Sequence, residues 1–452
     1  MKNSVVFAVV AAASSAAFAV APTIRESSVT FDQSLNRLVT IKYVLDDAPG
    51  IVTLDIETNR TGAATNNDAD WVSIGGENIQ TLSPAESVNR LVTNLTSHTI
   101  LWRARNDWPD QRIRNDAIRA KVTVWSTNTP PNYLVVDLTG EESPAYYTDA
   151  AFLPNGGLAN NCYRERYMVM RKIPAAGVEW TMGSPATETY HNNEALHRVV
   201  LTNDYYIGVF PVTYGQYANS PASKATYGGT IYEYGHKYAD TYTNGCPRTM
   251  CDWQGVARGN AANGGIQWPE YRHRVATGSF IGNLRAQTGI DFDLPTEAQW
   301  EFACRAGCGA TMYHRNTFFT GGQSVEMRDA AKEVAWCTVN STNGFHVVGQ
   351  KLPNAWGLYD MLGNINEQCL DWYGTYTNGV DTVYYEPEGP SSAADGKTAS
   401  DGTSKRVYRG GRFYSEYQEM RCAQRINGSQ SGQYDGARLM CPVTLKFPDG
   451  EK

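Results

Sequence analysis

The sequence predicts two units of different class. An all-β sandwich of immunoglobulin or fibronectin-III type is expected over residues 20–155, followed by an α+β unit with little regular secondary structure over residues 156–452. Three observations carry this. Short runs that alternate apolar and polar residues recur through the first third of the chain, as half-buried strands do. Two Thr-x-x-Gln helix starts stand isolated in turn-rich sequence further on. Forty-one Gly, 27 Tyr and 11 Trp in 452 residues favour irregular, aromatic-pinned structure over long helices.

In chain order, residues 1–19 read as an export signal. Lys2 is followed by an apolar run from Val5 to Ala13 and an Ala17-Phe18-Ala19 cleavage site. That run is too short to span a bilayer, and no later stretch reaches the ~18–20 apolar residues a spanning helix needs. A secreted or periplasmic protein without a membrane span is therefore expected. A net charge of −7 with no basic patch argues against a nucleic-acid partner. Strands are predicted at Leu38–Val44, Ile51–Ile56, His98–Ala104, Ala120–Trp125 and Tyr133–Leu138, with Asn, Asp, Gly and Pro between them. Trp71, Trp102, Trp108 and Trp125 are assigned to packing rather than to a carbohydrate-stacking surface. Residues 141–161, rich in Gly, Pro, Asn and Tyr, read as a linker, with the boundary near residue 155.

In the second unit, Tyr205–Gly208 reads as a strand running into Pro211-Val212. Thr213-x-x-Gln216 and Thr296-x-x-Gln299 each open a helix, the second packing through Trp300 and Ala303. Residues 220–290 hold a Tyr/Gly-rich excursion without assignment, and residues 386–404 read as an exposed loop. The densest chemistry lies in residues 357–373, GLYDMLGNINEQCLDWY, where neither helical nor strand periodicity accounts for Asp360, Gly363 and Glu367. A hard cation such as Ca²⁺ takes several oxygen ligands, and an Asp and a Glu seven positions apart can close a loop around one. On the residues alone, a solvated turn with two surface acids stands beside that reading.

Nine cysteines in an exported chain suggest disulfides, and the absence of a C-x-x-C pair argues against structural zinc. No G-x-S-x-G elbow or phosphate-binding loop is present. The residues of His191-x-x-Glu194-x-x-His197 are of metal-binding type.

Four stretches in order resemble the formylglycine-generating enzyme (sulfatase-modifying factor) family over roughly residues 165–445. They are VVLTNDYYIGVFPVTYGQYAN (199–219), DFDLPTEAQWEFACRAG (291–307), residues 357–373, and RVYRGGRFYSEYQEMRCAQR (406–425). The resemblance implies a C-type-lectin-like α+β fold. It also implies a structural Ca²⁺ held by the Asp360 side chain, the main-chain oxygens of Gly363 and Ile365, and the Glu367 carboxylate. Asn366 and Gln368 stand where the family has two tryptophans. A second family calcium site would fall between Ala335 and His346, a stretch that is shortened here and has no carboxylate. The resemblance further implies a Cys304–Cys422 disulfide, and it makes the His191 segment an ordinary strand entry.

The family's copper-binding cysteine pair should follow Arg409-Gly410-Gly411. Ser415 occupies the first position, and Glu416–Arg421 supplies no second thiol. Cu(I) prefers soft thiolates, so copper is not expected. These features predict a non-oxidase binding or scaffold variant. A copper-dependent oxidase converting a sulfatase cysteine to formylglycine is the alternative, and a non-haem iron oxygenase a further one. Arg412, Tyr414, Ser415, Tyr417 and Arg425 are expected to form a surface for a protein or glycan ligand, since aromatics give contact area and small polar groups give hydrogen bonds.

Overall fold

The computed structural model describes residues 21–443, apart from 60–66, 189, 225–242, 250–274, 276–277, 315–318, 320–323, 377–378, 388–405 and 429–434. The expected export signal, much of the 220–290 excursion and most of the 386–404 loop lie outside the described residues. Sheets dominate, and among the described residues no helix is long and apolar enough to cross a membrane.

The N-terminal strands are β1 (Thr30–Gln33), β2 (Leu38–Tyr43), β3 (Gly50–Asn59), β4 (Trp71–Ser73), β5 (Leu82–Ser83), β6 (Arg90–Val92), β7 (His98–Arg103) and β8 (Ile118–Trp125). One sheet runs β1-β2-β7-β5; in the other, β3 takes β8 along one edge and β4 and β6 along the opposite edge. Alternation places Val39, Ile41 and Tyr43 of β2 in one core with Val52, Leu54 and Ile56 of β3. Trp102 is buried in that core, whereas Trp71 is only half-buried and carries the Arg119 guanidinium 4.5 Å above its ring.

The second unit contributes β9 (Tyr133–Asp137), β10 (Ala145–Tyr147), β11 (Tyr167–Ile173), β12 (Val178–Met182), β13 (His197–Leu201), β14 (Tyr205–Gly208), β15 (Asn366–Trp372), β16 (Gly379–Tyr385), β17 (Arg406–Arg409), β18 (Arg425–Gly428), β19 (Asp435–Gly436) and β20 (Met440–Pro442). They form sheets ordered β10-β9-β11-β14-β20, β12-β13-β16 and β18-β17-β15-β19.

Two expectations are corrected here. Strand β9, assigned to the first unit from sequence, pairs antiparallel with β11, and the stretch read as a linker supplies β10. The five-stranded sheet therefore crosses residue 155. The reason lies in β9 itself, which is apolar on both faces. Tyr133 and Val135 enter one core while Leu134 and Val136 enter another, so the strand needs cover on two sides. The second correction concerns residues 366–372, which form a strand although no alternation marks them, because both of their faces are buried.

Both capping boxes are present, opening α1 (Tyr214–Asn219) and α2 (Glu297–Arg305). Helix α2 does not pack through one face, as Trp300 and Ala303 suggested. All nine of its residues are buried, Glu297 and Glu301 included.

Candidate functional site

The 357–373 segment is bent by four left-handed residues, Gly357, Asp360, Gly363 and Asn364, at φ of 79°, 53°, 75° and 63°. Gly363 is required for space as well as for φ, since a Cβ there would lie 2.4 Å from the Trp336 carbonyl oxygen. The bend turns Asp360 inward, where it is fully buried. Its Oδ2 accepts the Gly349 N–H at 2.7 Å, and its Oδ1 accepts the Asn364 side-chain amide at 3.3 Å. Burial pushes its pKa up to about 6, against the pull of the Gly349 N–H and of the Arg438 charge.

Glu367 sits on β15 with both oxygens taken. Arg438 donates from Nη2 to Oε1 at 2.7 Å and from Nε to Oε2 at 2.9 Å, and Trp300 Nε1 donates to Oε2 at 2.6 Å. The same guanidinium donates to the carbonyls of Gly208 and Tyr359, tying three segments to one buried carboxylate. The expected calcium set therefore fits in part. Asp360 is a buried acid whose charge is costly and which a cation would suit. Glu367 already has its counter-charge in Arg438.

Ser415 lies in the turn after Gly411 and is buried. Its hydroxyl oxygen accepts the Arg412 N–H at 3.3 Å, and its carbonyl accepts the Thr338 N–H at 3.1 Å. The hydroxyl thus closes its own turn. Beside it, the Arg412 guanidinium lies 4.0 Å from the Tyr414 ring centre, and both residues are half-exposed.

Three members of the expected ligand surface are interior. Ser415 is one. Tyr417 packs into the main hydrophobic core. Arg425 pairs with Glu297 at 2.5 Å and lies over the rings of Tyr373 and Tyr376. Arg425 is drawn inward by Glu297, the first residue of α2, a buried charge that Arg409 and the Tyr376 hydroxyl also contact. Arg412 and Tyr414 are what remain of that surface.

The sequence reading missed the charge network under the site. Arg409 pairs with Glu301, which Arg305 also holds at 2.8 Å, and Asp371 Oδ2 accepts the Glu297 N–H at 2.5 Å. Burial alone would raise the Glu301 pKa, but Arg305 and Arg409 bring it down to about 2. For Asp371, burial and then the nearby Glu297 charge push it up to about 8. The available signal was the Glu297/Glu301 spacing of one helical turn opposite a run rich in arginine.

His191, Glu194 and His197 do not form one cluster: His191 and Glu194 share the Ser184 hydroxyl, at 2.9 and 2.7 Å, and His197 stands apart. Glu194 also pairs with Arg421 at 2.6 Å, and His197 stacks on Tyr376. Cys304 and Cys422 do meet. Both are free and fully buried, and each thiol lies close enough to influence the other's titration. The neighbouring Cys304 thiol lowers the Cys422 pKa, while burial raises that of Cys304. The resemblance implies a disulfide between them; in the structure both are free thiols.

Residues 163–441 match the family model described as the sulfatase-modifying factor enzyme 1-like domain. A serine/threonine-protein kinase pkn1 of Chlamydia pneumoniae is 34% identical over 154 residues, 34% of this chain and 21% of the kinase. A formylglycine-generating enzyme of Bos taurus is 28% identical over 159 residues, 33% of this chain and 38% of the enzyme. Less than two-fifths of either relative is spanned. Among solved structures, Treponema denticola variable protein 1 is 21% identical, covering 61% of this chain and 95% of its own, with a TM-score of 0.44.

Proposed function

The chain belongs to the sulfatase-modifying factor family, and from that premise we propose that it works as an exported binding or scaffold protein, not as an oxidase. The observation that carries this reading is the Ser415 hydroxyl, buried and engaged with the Arg412 N–H at the position where the family resemblance places a copper-binding thiol. An alcohol is a poor Cu(I) ligand, and this one already accepts the Arg412 N–H. Cys337 lies next to Thr338, whose N–H bonds to Ser415, but burial raises its pKa and keeps it a protonated thiol. Titration with Cu(I) under reducing conditions is expected to give no tight one-to-one complex, and a C-x-P-x-R sulfatase peptide is expected to remain unmodified. Copper uptake with formylglycine formation would restore the oxidase reading.

Arg412 and Tyr414 are the half-exposed contacts we assign to a protein or glycan ligand. The export signal read in residues 1–19 supports a role outside the cytoplasm. For the N-terminal unit, a fibronectin-III-like sandwich is supported by the order β1-β2-β7 in one sheet and β4-β3-β8 in the other.

Structural Ca²⁺ at the 357–373 loop is also part of the proposal. It would engage Asp360 and the carbonyls of Gly363 and Ile365, leaving Glu367 with Arg438. Support comes from the desolvated Asp360 carboxyl, which an adjacent cation would relieve. The expected outcome is a melting temperature lowered by a chelator and restored by added calcium. A chelator-insensitive transition rules the ion out.

A further inference from the structure

Strand β8 is the longest member of its sheet after β3, with eight residues, and among the described residues it ladders with β3 alone. Among the described residues no other strand hydrogen-bonds along its other side. Pro130 and Pro131, which cannot donate to a ladder, follow it, and the next strand leaves to pair with β11. The side chains report the same exposure. Leu54 and Ile56 of β3 are buried, whereas their partners Val122 and Ala120 on β8 are only half-buried, although they point into the same core. An open edge with the sequence IRAKVTVW, rich in β-branched residues and free of Pro and Gly, is a template for another strand.

We infer that the occupant of this edge is β8 of a second copy, paired antiparallel about a two-fold axis at Val122. An isologous contact must be self-complementary, and a one-residue slip would exchange the core face for the solvent face. Centring on Val122 satisfies both conditions. On the core face Val122 meets its own copy and Ala120 meets Val124. On the outer face Lys121 lies opposite Thr123, and Arg119 lies opposite Trp125. No cation faces a cation over the seven residues from Arg119 to Trp125. Centring on Lys121 would oppose the two lysines, and centring on Ala120 would oppose Arg119 and Lys121. Both cations already have acidic partners on the solvent face, Arg119 with Glu57 and Asp68 and Lys121 with Glu57. The edge is therefore locally near neutral and not self-repelling. This inference rests on strand pairing in the N-terminal unit and is independent of the reading of Ser415.

The test is sedimentation equilibrium on the full chain and two variants. Thr123 points away from the core, opposite Thr53 on β3, so replacing it leaves the sandwich interior untouched. Thr123→Lys places a lysine opposite Lys121 of the other copy twice per dimer, and should weaken association about tenfold. Thr123→Glu places an opposite charge there and should tighten it by a similar factor. Opposite shifts of this kind, with added hydrogen-exchange protection of β8 amides at high concentration, support the pairing. A wild-type chain that stays monomeric up to about 1 mM overturns it. So does a dimer whose affinity is the same in both variants, or moves in the same direction.

Discussion

Replacing Arg438 by alanine is expected to cost about 3–5 kcal/mol of folding stability, the range for stranding one partner of a buried ion pair. Glu367 would keep only the Trp300 N–H, in a site with essentially no solvent exposure. The carbonyls of Gly208 and Tyr359 would lose their donor in the same step. Urea unfolding with an unchanged slope gives the measurement. Removing both charges, as Glu367→Leu with Arg438→Met, should recover much of the loss, since two apolar groups of similar volume leave no bare charge behind. A loss of less than about 1 kcal/mol for Arg438→Ala, the worth of one ordinary hydrogen bond, would mean that Glu367 is neutralised by something else.

The second large effect is a dependence of stability on pH with opposite slopes at its two ends. Asp371 titrates at about 8 in the folded chain against a usual 3.8, so the folded protein holds a proton that the unfolded chain has released. Its contribution is complete below the usual carboxylate range and is lost as pH rises through about 8. Glu301 behaves the other way. With a folded pKa of about 2 against a usual 4.5, it adds stability above the usual value and loses it as pH falls toward 2. The melting temperature should therefore rise between about pH 2 and 4.5 and decline between about pH 4 and 8. Asp371→Asn keeps an acceptor for the Glu297 N–H and carries no charge, so it should flatten the decline between about pH 4 and 8. Parallel curves for variant and wild type across that window would assign the decline to another group.

Local pattern made some elements legible and left others hidden, for identifiable reasons. Strands β2, β3, β7 and β8 could be read because one face of each is apolar and the other polar. The starts of α1 and α2 could be read because a capping box is a four-residue device that needs no distant partner. Strand β15 could not, because NEQCLDW is buried on both faces and its polar side chains take partners distant in sequence. Gln368 bonds to Tyr408, and Asn366 to Asp435. The ligand surface failed in the same way. Arg425 looks like a surface residue until Glu297, 128 positions earlier, is placed beside it. Asp360 and Glu367 stand out in the sequence as acids that no helical or strand periodicity explains. Their separation into a hydrogen-bonded carboxyl and an arginine-paired one depends on Gly349 and Arg438, which no spacing within 357–373 reveals.

Strand β9 has a consequence for how this polypeptide can be cut or recombined. A gene fragment opening at residue 156 would encode a sheet missing two of its five members, with the flank of β11 bare and two hydrophobic interiors each lacking one wall. Any exchange of modules among such proteins would have to carry the segment from Tyr133 onward as cargo of the C-terminal half. The seam visible to a ribosome or a protease is thus displaced by some twenty residues from the seam that composition suggests.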